Sequence, residues 1–218
     1  MFVFITSVSA DDFVEEGISE DLGVSELFAN FLDESFSHID DLIVEDSNGV
    51  EITKHFIDVA STYYAENDYV SIQDMIKNEN LTVSYKVVSN ITPKGNFAPM
   101  SNIRSKSVSQ NFYHIASDKG ITKEWTTKLY GTFSYDINTY NITSASNPTF
   151  TLLNANFGTA FSPVVKSVST SRTISGRSVT FNASHRMMAT LVLPIIGIPI
   201  GTEYDFGTHR TSASGSSM

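Results

Sequence analysis

The sequence predicts an α+β protein, in which a short helical N-terminal part precedes an antiparallel β-sandwich (or open barrel) of about seven or eight strands. Three observations support this class. Apolar residues recur at helical spacing between residues 11 and 40, and they alternate with a period of two from residue 80 onward. Charged residues make up only 17% of the chain, whereas Ser, Thr and aromatic residues are abundant, and branched and aromatic side chains pack well on a pleated surface.

The helical prediction covers residues 11 to about 40. Val14, Ile18 and Leu22 recur at four-residue steps, and a similar apolar stripe continues from Leu27. Gly23 interrupts the pattern, so we expect a break there and a better helix after it. Short helices are marginal alone, so we expect these to dock on the rest of the chain. The docking residues would be Ile18, Leu22, Leu27, Phe28, Phe31 and Leu32.

The rest of an acidic helical region, residues 11–79, holds a β-hairpin and two more helices. The hairpin is predicted near 42–52, because apolar residues alternate around Asn48-Gly49, which tolerate positive φ. An EF-hand is excluded, because aligning Gly49 with the loop glycine leaves His55 where a bidentate glutamate is required. Thr53 is expected to cap a helix to about Glu66, and Ser71 to Asp74 resembles a capping box.

Residues 42–90 resemble small secreted proteins of Gram-positive gut bacteria, for which no family function is known. The resemblance rests on the Asn48-Gly49 hairpin, the motif Ile52-Thr53-x-x-Phe56, and the motif Asp68-Tyr69-x-Ser71-Ile72 before a Tyr-rich β-region. It implies a location outside the cell and no particular activity.

The β-domain is predicted to span residues 80–210. Candidate strands lie near 81–89, 104–116, 123–135, 138–145, 149–157, 164–174, 177–193 and 195–208, separated by turn-like segments. The last should be an edge strand, because Pro194 and Pro199 lack amide hydrogens. Residues 211–218 are rich in Ser and Gly, and we expect them to form a disordered tail.

The first ten residues indicate export. They are apolar, end in Val8-Ser9-Ala10 and are followed by Asp11-Asp12, which fits signal-peptidase cleavage after Ala10. No positive residues precede the apolar run, so we expect residues 1–10 to be the remnant of a signal peptide whose start codon lies upstream. The predicted location is the extracellular or cell-wall side of a bacterium. The apolar run from Met187 to Ile200 is too short and too rich in Pro for a transmembrane helix.

Charge is distributed unevenly along the chain. Asp11 to Asp46 holds thirteen acidic residues and no Lys or Arg, whereas Lys86 to the end holds twelve Lys plus Arg against five acids. The basic residues form no cluster or helix that could neutralise phosphates, so nucleic acid is not expected as a partner. The chain has no Cys, which excludes disulfides, thiolate nucleophiles and cysteine zinc sites.

No catalytic constellation is recognisable, and we expect neither catalysis nor a cofactor. His38, His55, His114, His185 and His209 show no metal-pair spacing. His185 is expected to be a structural residue on the apolar face of a strand, and His114 and His209 to be exposed. The nucleophile-elbow motif and a glycine-rich phosphate loop are both missing from the sequence.

These observations lead to two hypotheses for function. The first is an exported, non-enzymatic binding or structural module of unknown ligand, whose partner would be a cell-wall polymer or another surface protein. Arg172, Arg177, Arg186 and Arg210 are the candidate surface for an anionic ligand. The second is a secreted, membrane-active toxin, because Tyr130 to Tyr135 resembles a motif of some β-sandwich bacteriocins and the run from Met187 to Ile200 could insert into a membrane.

Overall fold

The computed structural model describes residues 26–87, 102–192 and 199–218 and confirms the α+β class. Within these ranges it has three α-helices and nine strands in two antiparallel sheets. The helices are α1 (Glu26–Ser37), α2 (Thr53–Ala65) and α3 (Tyr69–Asn78). The strands are β1 (Leu42–Glu45), β2 (Thr82–Val87), β3 (Ile103–Asp118), β4 (Ile121–Asp136), β5 (Ile142–Ala145), β6 (Thr149–Asn156), β7 (Phe161–Ser175), β8 (Ser178–Val192) and β9 (Pro199–Ser216).

The six-stranded sheet, which we call the inner sheet, has the order β1-β2-β3-β4-β5. Strand β5 pairs with β4 from Phe133 to Tyr135. Strand β6 also pairs with β4, at the preceding residues from Glu124 to Tyr130. The three-stranded sheet, which we call the outer sheet, has the order β7-β8-β9. Consecutive strands pair in most of both sheets, and some are joined by short turns, such as Lys119-Gly120 between β3 and β4, where both residues have positive φ.

The helices cover one face of the inner sheet. Phe28, Phe31 and Leu32 of α1 are at most 3% exposed and join a core with residues of α2, α3, β1, β2 and β3. The Phe31 ring stacks on Tyr113 with their centroids 4.7 Å apart. The docking predicted for these three α1 residues is therefore confirmed. Ile18 and Leu22 lie outside the described residues, and the side chain of Leu27 is not described.

The outer sheet covers the opposite face of the inner sheet, so the molecule has three layers: helices, inner sheet and outer sheet. Glycine allows the two sheets to approach closely, since a Cβ atom at Gly131 would lie 2.6 Å from the Phe181 ring. In β3 the residues from Phe112 to Ser117 are all buried, because one set of alternate side chains meets the helices and the other meets the outer sheet. The inner sheet is thus the middle layer of the protein.

The disordered tail predicted at residues 211–218 is wrong. Strand β9 continues to Ser216, where it pairs with Ser178, and Ala213 is 3% exposed against the core. The Ser217 hydroxyl donates to the Tyr140 and Arg177 carbonyls. Small polar residues suggested a tail, but the neighbouring β8 supplies backbone hydrogen bonds and a surface on which alternate small residues pack.

Local details of the acidic helical region also differ from expectation. The predicted hairpin is reduced to β1, a turn with Gly49 at φ 76°, and a single bridge between Glu45 and Glu51. The Thr53 hydroxyl accepts from the Val44 amide of β1 and makes no cap for α2. Asp68 caps α3 by accepting from the Ser71 amide, so α3 starts before the predicted capping box. No helix in the described residues is long and apolar enough to cross a membrane.

Replacing Phe31 with alanine tests the role of α1 in the fold. Phe31→Ala removes a ring that is 3% exposed and contacts both Tyr85 and Tyr113. We expect the free energy of unfolding, measured by urea titration, to fall by about 3–5 kcal/mol. Val59→Ala on α2 removes a side chain that is 37% exposed and serves as the control, with an expected change below about 1 kcal/mol. Equal midpoints for the two variants would show that α1 does not stabilise the core.

Candidate functional site

Two rows of polar and aromatic side chains face each other between the sheets. In the inner sheet, His114 of β3 lies directly opposite Ser84 of β2 and Trp125 of β4. In the outer sheet, His185 of β8 lies directly opposite His209 of β9. Residues directly opposite in an antiparallel pair share one face, so each register brings its row to the interface between the sheets.

The three histidines form one contact cluster, which we call the histidine cluster. The His114 ring centroid lies 5.1 Å from that of His185 and 5.0 Å from that of His209, and the last two are 5.4 Å apart. All three side chains are 0% exposed. The Trp125 ring packs edge-on against His209 at 4.6 Å. The expectation that His114 and His209 are exposed is therefore wrong, whereas the buried position predicted for His185 is confirmed.

The hydrogen bonds of His209 determine its tautomer. A carbonyl oxygen can only accept, so His209 Nε2 carries a proton and donates to the Phe206 carbonyl over 3.0 Å. In the neutral ring Nδ1 is then an acceptor, and the Ser84 hydroxyl donates to it over 3.2 Å. Because this hydroxyl has one hydrogen, its 2.9 Å contact with His114 must be a bond that His114 Nδ1 donates.

The remaining bonds complete a consistent set of three neutral rings. His114 Nε2 is left as an acceptor and receives the Thr127 hydroxyl over 2.9 Å. The Trp125 indole nitrogen donates to His185 Nε2 over 3.2 Å, which places the His185 proton on Nδ1. That Nδ1 is buried without a hydrogen-bond partner in the described structure. One directed chain of hydrogen bonds therefore runs from Thr127 through His114 and Ser84 to His209.

Burial keeps the cluster neutral. Loss of hydration lowers the pKa of His209 to about 3 and that of His185 to about 4. The pKa of His114 lies well below its ordinary value, first because of burial and then because a charge on His209 or His185 would repel its own. The surrounding side chains are aromatic, aliphatic or hydroxyl-bearing, including Phe150, whose ring lies 4.6 Å from His185. Any proton added here would be a buried charge.

The cluster has the residue types of a catalytic site and the environment of a core. Ser84, the only hydroxyl between two imidazoles among the described residues, is 6% exposed and lines a pocket of about 220 Å³, whereas the three histidines are fully buried. Among the described residues no group of His, Asp or Glu side chains is arranged to hold a metal ion. The arrangement can join the two sheets and fix their register.

A second polar region is an open cleft of about 670 Å³. Its walls come from three parts of the fold: the β1–α2 turn, the ends of β2 and β3, and residues 205–210 of β9. Side chains with amide, hydroxyl or charged groups line most of it, among them Glu45, Asn48, Asn80, Lys119, Thr208 and Arg210. We call this opening the polar cleft.

Ion pairs and hydrogen bonds hold the walls of the polar cleft in place. Arg210 of β9 contacts Glu45 of β1 over 2.7 Å and so ties the outer sheet to the inner sheet. The Asp118 carboxylate accepts from the Asp205 amide over 2.8 Å. Asp46 accepts from the Asn48 and Val50 amides, and these bonds, the one from Val50 first, lower its pKa. The walls are therefore built from residues that already have partners, as suits a preformed site.

The four arginines predicted as an anionic-ligand surface are not brought together. Arg186 forms an ion pair with Asp205, and this contact raises the pKa of Arg186. Arg210 forms an ion pair with Glu45. Arg172 donates to Asn147, and Arg177 in the β7–β8 turn contacts Met218 and the Tyr140 ring. By register Arg172 lies on the same sheet face as the buried Phe181, opposite to the face of Arg186. Binding of an anionic ligand to these residues stays a prediction.

Sequence reasoning missed the histidine cluster, because its three members are separated by 24 to 95 residues along the chain. The only local signal was the alternation of apolar and polar residues along each strand. It places His185 on the buried face with Ala183 and Met187, and it could have placed His209 on the same face as Thr211. His38 and His55 are exposed and lie outside the cluster. Comparison with protein-family models, curated proteins and solved structures finds no match to this chain.

The histidine cluster predicts that acid destabilises the fold in a definite pH window. Unfolded histidines titrate near pH 6.5, whereas the folded values for His185 and His209 are about 4 and 3. Below pH 6.5 the unfolded chain therefore binds more protons, and stability present above this pH is lost as the pH falls toward the folded values. Each histidine adds a slope of about 1.4 kcal/mol per pH unit between about pH 6 and 4.5.

Urea unfolding of His185→Gln across this pH range tests the assignment. The amide oxygen of glutamine can still accept from Trp125, while one titrating group is lost, so the slope should fall by about one third. His55→Gln, at an exposed position, should keep the wild-type slope. Identical slopes for both variants would contradict burial of His185 as the source of the acid sensitivity.

Proposed function

We propose that the chain is a non-enzymatic binding module that acts outside the cell and holds a hydroxyl-rich ligand, such as a cell-wall glycan, in the polar cleft. The observation that carries this proposal is the contrast between its two polar regions. Ser84 and the three histidines that it adjoins are buried between the sheets, while the open region is lined by amides, hydroxyls and carboxylates. Such groups offer paired donors and acceptors for sugar hydroxyls.

The charges of the cleft favour a ligand without strong negative charge. Glu45, Asp46, Asp118 and Asp205 line it together with Lys119 and Arg210, so carboxylates outnumber the cations. Arg210 is also paired with Glu45, which leaves less of its charge for a ligand. A polyanion such as teichoic acid would meet repulsion here, whereas the glycan strands of peptidoglycan would not.

The membrane-active alternative depends on the run from Met187 to Ile200. In β8 the side chains of Met187 and Ala189 are at most 1% exposed in the core between the sheets, so insertion of this part would require the sandwich to open. Residues 193–198 lie outside the described residues. The core position of these side chains favours the binding module over the toxin, and dye release from liposomes would support the toxin instead.

Filling the cleft tests the proposal. Thr208→Trp places a bulky ring at an exposed cleft position, and Thr139→Trp places the same ring in the exposed β4–β5 turn as a control. The probe is purified Gram-positive peptidoglycan, with and without teichoic acid, in a sedimentation assay. We expect the wild type and Thr139→Trp to sediment with both preparations, and Thr208→Trp to bind at least about tenfold more weakly.

Three results would contradict parts of this proposal. Failure of the wild type to sediment at low salt would remove wall glycan as the ligand, and undiminished binding of Thr208→Trp would remove the cleft as the site. Labelling of Ser84 by a fluorophosphonate at neutral pH, read out by mass spectrometry, would show an accessible activated serine and overturn the non-enzymatic assignment.

A further inference from the structure

Strand β7 presents an unpaired edge next to an open space. It is 15 residues long, stands at the end of the outer sheet and pairs only with β8 among the described strands. Every residue from Lys166 to Ser175 is exposed, which means that both faces of this half of the strand contact solvent. An unpaired strand edge carries a row of free N–H and C=O groups, and it is a template for an added strand.

A β-bulge creates the open space. The register with β8 shifts between Lys166 and Ser169, and Ser167 has φ 53°. Before the bulge, Val165 lies opposite the buried Met187 and is itself half-buried. After the bulge, Ile174 lies opposite the fully buried Val179 and is itself 42% exposed, so the inner sheet covers this side chain only in part. Apolar side chains at Val168 and Ile174 are left for a partner to cover.

The charge around this edge selects the chemistry of the partner. The chain has a net charge of −10, yet residues 157–202 contain Lys166, Arg172, Arg177 and Arg186 and no Asp or Glu. In the described structure Lys166 and Arg186 pair with Glu203 and Asp205, whereas Arg172 and Arg177 contact Asn147 and Met218, whose side chains are uncharged. A second copy of this chain pairing through β7 would bring the same basic strand to the edge, which like charges oppose.

We propose that the free edge of β7, from Lys166 to Ser175, binds an extended acidic peptide segment of another protein as an added antiparallel or parallel strand. Backbone hydrogen bonds would supply affinity, and acidic side chains on one face of the added strand would meet Arg172. This surface is distinct from the polar cleft, so the inference goes beyond the proposed function and does not depend on it.

The test is an NMR titration of the isotopically labelled full chain with a ten-residue peptide that alternates glutamate with valine and threonine. The expected result is a saturable shift of backbone amide signals from Lys166 to Ser175. A matched peptide with alternate backbone amides methylated keeps every charge and loses half of its hydrogen-bond donors, so it should bind at least about tenfold more weakly. A lysine version of the peptide should not bind.

Two charge-reversal variants complete the test. Arg172→Glu should weaken binding of the acidic peptide by about three- to tenfold, whereas Lys54→Glu on exposed α2 should leave it unchanged. The proposal is overturned if the methylated peptide binds equally well, because attraction would then be charge alone. It is also overturned if the shifts map elsewhere, if no binding occurs at millimolar peptide, or if the β7 amides shift with protein concentration alone, which would identify a second copy as the occupant.

Discussion

Burial of β3 on both faces is the constraint on which the rest of this structure depends. Where the helices lie on one face of the inner sheet and the outer sheet on the other, neither face contacts solvent, so every residue of β3 from Phe112 to Ser117 must be accommodated in a core. On the helical side aromatic stacking meets this demand, as between Phe31 and Tyr113. On the other side the sequence places His114 at the centre, and a buried imidazole requires partners for both nitrogens.

The histidine cluster gives both nitrogens of His114 and of His209 a partner, whereas Nδ1 of His185 has none in the described structure, and its side chains come from five strands. Ser84, His114, Trp125 and Thr127 come from the inner sheet, and His185 and His209 from the outer sheet. A one-residue slip in the register of any of these strands would turn its group to the opposite face of the sheet and leave the partners unsatisfied. The network therefore selects one register and one relative placement of the sheets, where an apolar core alone would tolerate alternatives. As a consequence, the protein can fold only when all three histidine rings are uncharged.

The surface around this core has two regions of different chemistry. The tie between Arg210 and Glu45 closes the two sheets at β1 and β9 and leaves the polar cleft beside it. At the opposite side of the outer sheet, β7 has a bulge, and its outer edge has no strand partner among the described residues. The described structure thus has a preformed polar concavity at one side and a strand edge with basic residues at the other.

The sequence by itself determined the class, the position of nearly every strand and the face by which α1 docks, because alternation and helical spacing are local consequences of which side chains avoid water. It could not identify the site. Ser84 and His209 meet across 125 residues, through two registers and the packing of two sheets, and none of these leaves a local pattern. For the same reason Ser- and Gly-rich residues 211–216 resembled a tail, since only the pairing of Ser212 with Asn182 and its neighbours makes them a strand. Tertiary structure decided both, because a hydrogen-bond partner and a desolvated environment are properties of neighbours in space.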